Sequence, residues 1–249
     1  MQSKPILVIR SALFWIGFIL STVFWGLLVI LLFFTPADFR LRLARMWSRT
    51  NNVLLKLICG IDFRVRGEEN LKHGPAIVLS KHQSTWETIS LHSVLPLVRW
   101  VFKRELMIVP IFGWALALTD PIAINRSAGR AAIKQLVDEG RRKLDNGKWM
   151  ILFPEGTRTA PGKTQKYKIG GAVLAQETGY PVIPLAHNSG EFWPKHSFVK
   201  WPGTIDVVIG PPIQSKGRKA EEINAEVSEW IEGTMKQISD PARWDRSKY

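Results

Sequence analysis

His82 and Glu87 stand five residues apart, with Ser84 and Thr85 between them as two possible helix caps. The apolar run at 76–80 has the length of one buried strand, and the residues after the caps carry Glu87, Ile89, Leu91 and Leu95 as a helix would. On one continuous helix, residues five apart point about 140° away from each other and cannot touch. With His82 on the loop before the cap and Glu87 in the first turns, the carboxylate can fold back onto the imidazole. A carboxylate on one ring nitrogen fixes the tautomer and leaves the other nitrogen free as a base. The plainer reading makes His82 a loop histidine and Glu87 an ordinary first-turn acid.

A second polar stretch repeats the pattern. The apolar residues 149–153 read as a buried strand and run into Pro154, Glu155, Gly156, Thr157 and Arg158. Gly156 permits a close backbone approach, Thr157 offers a hydroxyl, and Arg158 can grip a phosphate through two N–H groups. A surface turn with a Glu–Arg pair is the competing account. Loops at the carboxyl ends of parallel strands gather on one edge of a sheet, where ligands bind. Two such loops can therefore share one site.

The elements needed to bring them together are legible as strands alternating with helices from Ile61 onward. Strands are expected at 62–66, 76–80, 98–103, 121–125, 149–153, 181–186 and 204–209. Helices are expected after His82, at 127–144 with Ser127 as cap, at 171–178 closed by Gly179, and at 220–238. Asn146 and Gly147 close the second of these. The alternation predicts an α/β fold with a largely parallel or mixed sheet covered by helices on both faces, over residues 61–249.

Residues 1–60 differ. Residues 11–35 carry no charge, and as a helix would run roughly 37 Å, enough to cross a hydrocarbon core. A cleaved signal peptide is the rival, but the apolar part is too long and lacks a small-residue cleavage pattern. Lys4 and Arg10 before the stretch are outweighed by Arg40, Arg42, Arg45, Arg49 and Lys56 after it. If it spans, this puts the C-terminal body in the cytoplasm, at the inner membrane of a bacterium. A segment that enters one leaflet and turns back fits equally. Residues 38–59 set Phe39, Leu43, Met46, Trp47, Leu54, Leu57 and Ile58 among arginines, as a headgroup-lying amphipathic helix or a core helix would, and Gly60 ends it.

The balance of 34 basic against 21 acidic residues leaves a net charge of +13, which calls for an anionic partner. With 11 tryptophans in 249 residues, a membrane surface is favoured over nucleic acid, for which the apolar arm has no use. Cys59 is the sole cysteine, so no internal disulfide forms, and no Cys/His cluster has zinc-ligand spacing. Of the other histidines, His187 after a strand end could line the site. His73 is assigned to a turn, His92 to the helix after the motif, and His196 to a basic aromatic loop.

Taken in order, His82 with Glu87 five positions on, Arg126 after Ala123, Pro154 to Arg158, and Val182 to Pro184 resemble the glycerolipid acyltransferases. The likeness is to the membrane-bound 1-acylglycerol-3-phosphate acyltransferase type, over about residues 60–212. Three positions depart from that pattern: Lys81 stands where Asn is usual, Glu87 where Asp is usual, and Asn125 where Asp is common before the arginine. The resemblance implies an N-terminal membrane helix pair and acyl transfer from a thioester to the free hydroxyl of lysophosphatidate. His82 would be the general base and Glu87 its partner, with Lys103, Arg126 and Arg158 on the acceptor phosphate. Glu155, Gly156 and Thr157 would complete the acceptor site. No metal or cofactor is implied beyond the co-substrate, an acyl-CoA or acyl-carrier-protein thioester. Acyl transfer to another lysolipid, or a non-enzymatic membrane-anchored basic lipid-binding module, are the alternatives.

Overall fold

The structure is a computed structural model that describes residues 3–72 and 74–248; His73 lies outside the described residues, as do the side chains of Arg126, Ser247 and Lys248. Seven strands form one sheet: β1 (Ile61–Arg66), β2 (Ile77–Ser80), β3 (Val98–Lys103), β4 (Ile122–Ile124), β5 (Trp149–Leu152), β6 (Val182–His187) and β7 (Gly203–Ile209), in the order β1-β7-β6-β2-β5-β3-β4. Neighbours from β6 to β4 run parallel, β7 is antiparallel to β6, and β1 pairs parallel with β7. The expected mixed α/β sheet is thus present, with β2 central.

Alternation along β2 divides two cores. Val78 faces one that contains Phe14, Trp47, Trp86, Ile89 and Ile151. Ile77 and Leu79 face another built with Leu136, Leu174, Ile223 and Ile231. The first is covered by α1 (Lys4–Leu31), α2 (Ala37–Leu54) and α3 (Trp86–Val94), the second by α5 (Arg130–Asp145), α6 (Gly170–Thr178) and α7 (Ala220–Ile238). All four residues of β2 are buried, because strands covered on both faces need no polar side.

The N-terminal pair is part of this packing. Phe14 of α1 meets the Trp193 ring edge-on at 5.5 Å, and Trp25 Nε1 donates to Thr50 Oγ1 of α2. Only 17% of the most apolar window of α1 is buried, and Ile9, Ile16, Leu20 and Phe24 are exposed. The helix is long and apolar enough to cross a membrane. It begins at Lys4, ahead of the uncharged stretch, with Pro5 in the first turn, where a missing N–H costs nothing. After α2 the chain continues through one π-helical turn (Leu55–Cys59) and stops at Gly60, whose φ of +67° suits glycine.

Several boundaries differ from the sequence reading. The helix expected from Ser127 starts at Arg130; Asn125 Oδ1 instead accepts from Ser127 N–H and closes one separate turn over Arg126–Ala128. A short helix α4 (Phe112–Ala117) has no counterpart in the sequence reading. Its run is too brief to show a 3.6-residue period, and its Trp114 is exposed.

Candidate active site

Residues 82–85 leave β2 as a loop, and the first turn of α3 curls back over them. Thr85 occupies the cap position without a side-chain cap bond, and the helix start is met by Glu87. Its Oε1 accepts from the Gln83 and Ser84 N–H groups, both at 2.7 Å, and lies 2.8 Å from His82 Nδ1. Its Oε2 accepts from Ser189 Oγ at 2.9 Å. Glu87 is fully buried. Burial alone would raise its carboxyl, but His187, His82 and the donated N–H groups outweigh that and hold it well below the usual carboxylate range. An ionised Glu87 requires Nδ1–H on His82, so the lone pair sits on Nε2, and no side chain among the described residues bonds that nitrogen.

The imidazole is clamped on a second side. Phe153, the residue after β5, stacks on it at 4.0 Å between centroids and 11° between planes. The ring is 14% exposed and opens on an apolar cavity of about 170 Å³ that includes Lys103, Trp100, Trp25 and Val29 in its lining. This cavity runs from the histidine to α1.

The two polar loops meet. His82 N–H donates to Glu155 Oε2 at 2.6 Å, and Thr159 N–H donates to the His82 carbonyl at 2.8 Å. Arg158 donates to Thr85 Oγ1 at 2.8 Å, which brings its guanidinium to the start of α3. Gly156 turns the loop with φ +70°, and a Cβ there would lie 2.8 Å from Lys168 Cε. Thr157 is exposed, and Lys103 is half-exposed beside Glu105 at 3.2 Å. Arg126 lies on the turn before α5; its side chain is outside the described residues.

Glu155 is not at the surface of this site. Its side chain is fully buried, with Oε1 on Lys81 Nζ at 2.8 Å. Burial pushes its carboxyl up, against the pull of Lys81 and the His82 N–H. It is thus shut away from a glycerol backbone and supports the His82 loop from below. The backbone N–H groups of His82, Gln83 and Ser84 all donate inward to Glu155 and Glu87, so none of the three is left for an oxyanion.

His187 is buried at the end of β6, its Nε2 2.8 Å from the Lys81 carbonyl, and burial keeps its pKa low. It lies beneath the loop and does not line the cavity. His92 is also buried, pushed down to about 4 by burial and by Arg45, beside Trp100. Cys59 is buried, and burial pushes its thiol up to about 11, which suits packing. Phe153, Ser189 and the Lys81 contacts were not read from the sequence. Ser189 follows β6 as His82 follows β2, so a third strand-then-polar loop was the available signal.

The acyltransferase family model matches residues 62–188, which contain the His82 loop and the Glu155–Arg158 turn. Among curated proteins, the chain is 44% identical over 238 residues to a 1-acyl-sn-glycerol-3-phosphate acyltransferase of Pseudomonas aeruginosa, covering 93% of this chain and 92% of that one. The corresponding yeast protein from Saccharomyces cerevisiae is 31% identical over 193 residues, 74% of this chain and 63% of its own. A crystal structure of the 1-acyl-sn-glycerophosphate acyltransferase from Thermotoga maritima superposes with a TM-score of 0.77 at 25% identity, over 92% of this chain and 94% of that one. With a histidine held by a buried carboxylate on the matched segment, the chain belongs to the acyltransferase family.

Proposed function

We propose that this protein transfers a fatty acyl chain from an acyl thioester to the free hydroxyl of lysophosphatidate, giving phosphatidate. The observation that carries the reading is His82 Nδ1 fixed 2.8 Å from buried Glu87, with the ring opening on an apolar cavity. In this reaction Nε2 takes the hydroxyl proton as the oxygen attacks the thioester carbonyl carbon. Glu87 stabilises the imidazolium that forms. The tetrahedral intermediate collapses with cleavage of the C–S bond, and the departing thiolate takes the proton from Nε2. Atoms and charge balance without an enzyme nucleophile, and the steps use no metal or redox group.

Arg158 and Lys103 supply cations for the acceptor phosphate, with Arg126 as a third on the adjoining turn. Thr157, exposed beside Arg158, is placed to meet the glycerol, and Gly156 lets the loop turn there. The donor is an acyl chain on coenzyme A or on acyl carrier protein. Residues 1–60 form the membrane anchor and residues 61–249 the catalytic domain. The exposed apolar side of α1 enters lipid, and the exposed Arg42 and Arg49 of α2 meet the phosphates of the headgroup layer. The basic excess after α1 places the catalytic domain on the cytoplasmic side, at the inner membrane of a bacterial cell.

The test is transfer from a long-chain acyl thioester to lysophosphatidate by the wild type and by His82→Ala. Loss of a general base removes roughly 10²–10⁴-fold of the rate. Equal rates in both proteins refute the mechanism. Transfer confined to a different lysolipid in an acceptor panel moves the acceptor assignment and leaves the base in place.

A further inference from the structure

A chain of buried charge links the His82 loop to the C-terminal helix. Lys81 Nζ lies 2.8 Å from Glu155 Oε1 and 2.7 Å from Glu232 Oε1, and its side chain is 1% exposed. Glu155 in turn holds the His82 N–H through its other oxygen at 2.6 Å. Because Lys81 and His82 are chain neighbours, the contacts from Lys81 to Glu155 to His82 close a ring. Glu232 anchors that ring from α7, and Tyr167 O–H donates to the same Glu232 oxygen at 2.8 Å. Two carboxylates share one ammonium here. The surplus negative charge is tolerated because Tyr167 supplies a further donor and Glu232 reaches solvent at 20% exposure.

Glu155 and Lys81 would already make a neutral buried pair, so charge balance does not require Glu232. Its geometric effect is to give the same ammonium a second fixed contact at 2.7 Å. That in turn fixes the carboxylate holding the histidine loop. We propose that Glu232 is a positioning residue for the base: acting through Lys81 and Glu155, it sets the His82 backbone and so the direction of Nε2. The consequence for rate rests on the acyl-transfer reading given above; the consequence for the loop does not. Glu232 lies outside the matched residues 62–188 and 151 positions from Lys81.

The experiment compares wild type, Glu232→Ala, Glu232→Gln, Lys81→Met and the double variant Lys81→Met/Glu232→Ala in acyl transfer. Amide hydrogen exchange of the peptide over 80–86 is followed in parallel. Outer-shell partners that orient metal-ligating side chains are commonly worth about 10–100-fold, and an oriented base is expected to show the same scale. Glu232→Ala should therefore lower kcat by at least about tenfold, with KM for lysophosphatidate and thioester within about twofold of wild type. Glu232→Gln, which keeps an acceptor of the same shape for Lys81 and Tyr167, should recover most of that loss. Once Lys81 is Met, Glu232→Ala should cost little more, since the path runs through the ammonium; Glu155→Gln takes that place in the cycle if Lys81→Met fails to fold.

Exchange over 80–86 should be faster in Glu232→Ala. Unchanged exchange there, a raised KM at unchanged kcat, or losses that simply multiply in the double variant would each overturn the proposal. A wild type that transfers nothing, with exchange still accelerated in Glu232→Ala, would remove the functional reading and leave the positioning intact.

Discussion

Glu87→Gln separates the charge of the buried carboxylate from its position. Three donors, Gln83 N–H, Ser84 N–H and His82 Nδ1–H, converge on Oε1, and among the described residues only the Ser189 hydroxyl meets Oε2. A glutamine has a single low-energy placement: its oxygen must face the three donors and its NH₂ must face Ser189, whose hydroxyl can rotate to accept. Nδ1–H is thereby kept, and Nε2 stays the free base. What disappears is the negative charge opposite the imidazolium. Hydrogen bonds to a charged group contribute about 1.5–3 kcal/mol, so kcat should fall roughly 10- to 150-fold. KM for both substrates should be unchanged, because Glu87 is fully buried and touches neither. The assay is steady-state acyl transfer to lysophosphatidate, with a thermal melt to show that the variant is folded. A folded Glu87→Gln with wild-type kcat refutes the pairing as a source of rate. A loss near 10⁴-fold, as when a catalytic imidazole takes the wrong tautomer, refutes the placement of the amide argued here.

Arg158→Ala should raise KM for lysophosphatidate by roughly 10- to 150-fold, the value of charge-assisted bonds to phosphate, with Arg158→Lys intermediate because it keeps the charge without the fork. An unchanged KM in initial-rate kinetics would remove Arg158 from the acceptor site. Lys200 gives a pH prediction: its ammonium lies 4.0 Å from the Trp15 ring centroid and 4.6 Å from that of Trp193, and burial pushes it down to about 7 from 10.5. Between those values the unfolded chain binds the extra proton, so stability must rise with pH, by about 2 kcal/mol from pH 7 to pH 9. Melting of wild type and Lys200→Met at both pH values checks this, and an equal pH response in the two proteins contradicts it.

The pattern of β2, β3, β5 and β6, of α5 to α7, and of the apolar α1 was legible along the chain because hydrophobic periodicity is a local signal. The strand-to-loop handovers at His82 and Pro154 were legible for the same reason, and they put both polar loops on one sheet edge. The family resemblance rested on those loops, and the comparisons agree with it. Lys81, by contrast, read as a mere departure from an expected asparagine. Its meaning depends on Glu155 and on Glu232, 74 and 151 residues away, and no pattern in the sequence pairs groups at such separations.

The direction of Glu155 was likewise invisible. Its neighbour Thr157 is exposed and Arg158 reaches Thr85, while the pairing of β2 with β5 brings the Glu155 carboxylate beneath His82. α4 escaped notice because a six-residue apolar run carries too few turns to declare its period. The sequence by itself thus determined which residues can do chemistry and which strands carry them to the edge. It also pointed to Glu87 as the carboxylate that can turn onto the imidazole. The tertiary structure alone decided which carboxylate holds the His82 backbone and which lysine ties that carboxylate to Glu232. Side-chain direction at a loop is set by what packs beneath it, and here that is supplied from the far end of the chain.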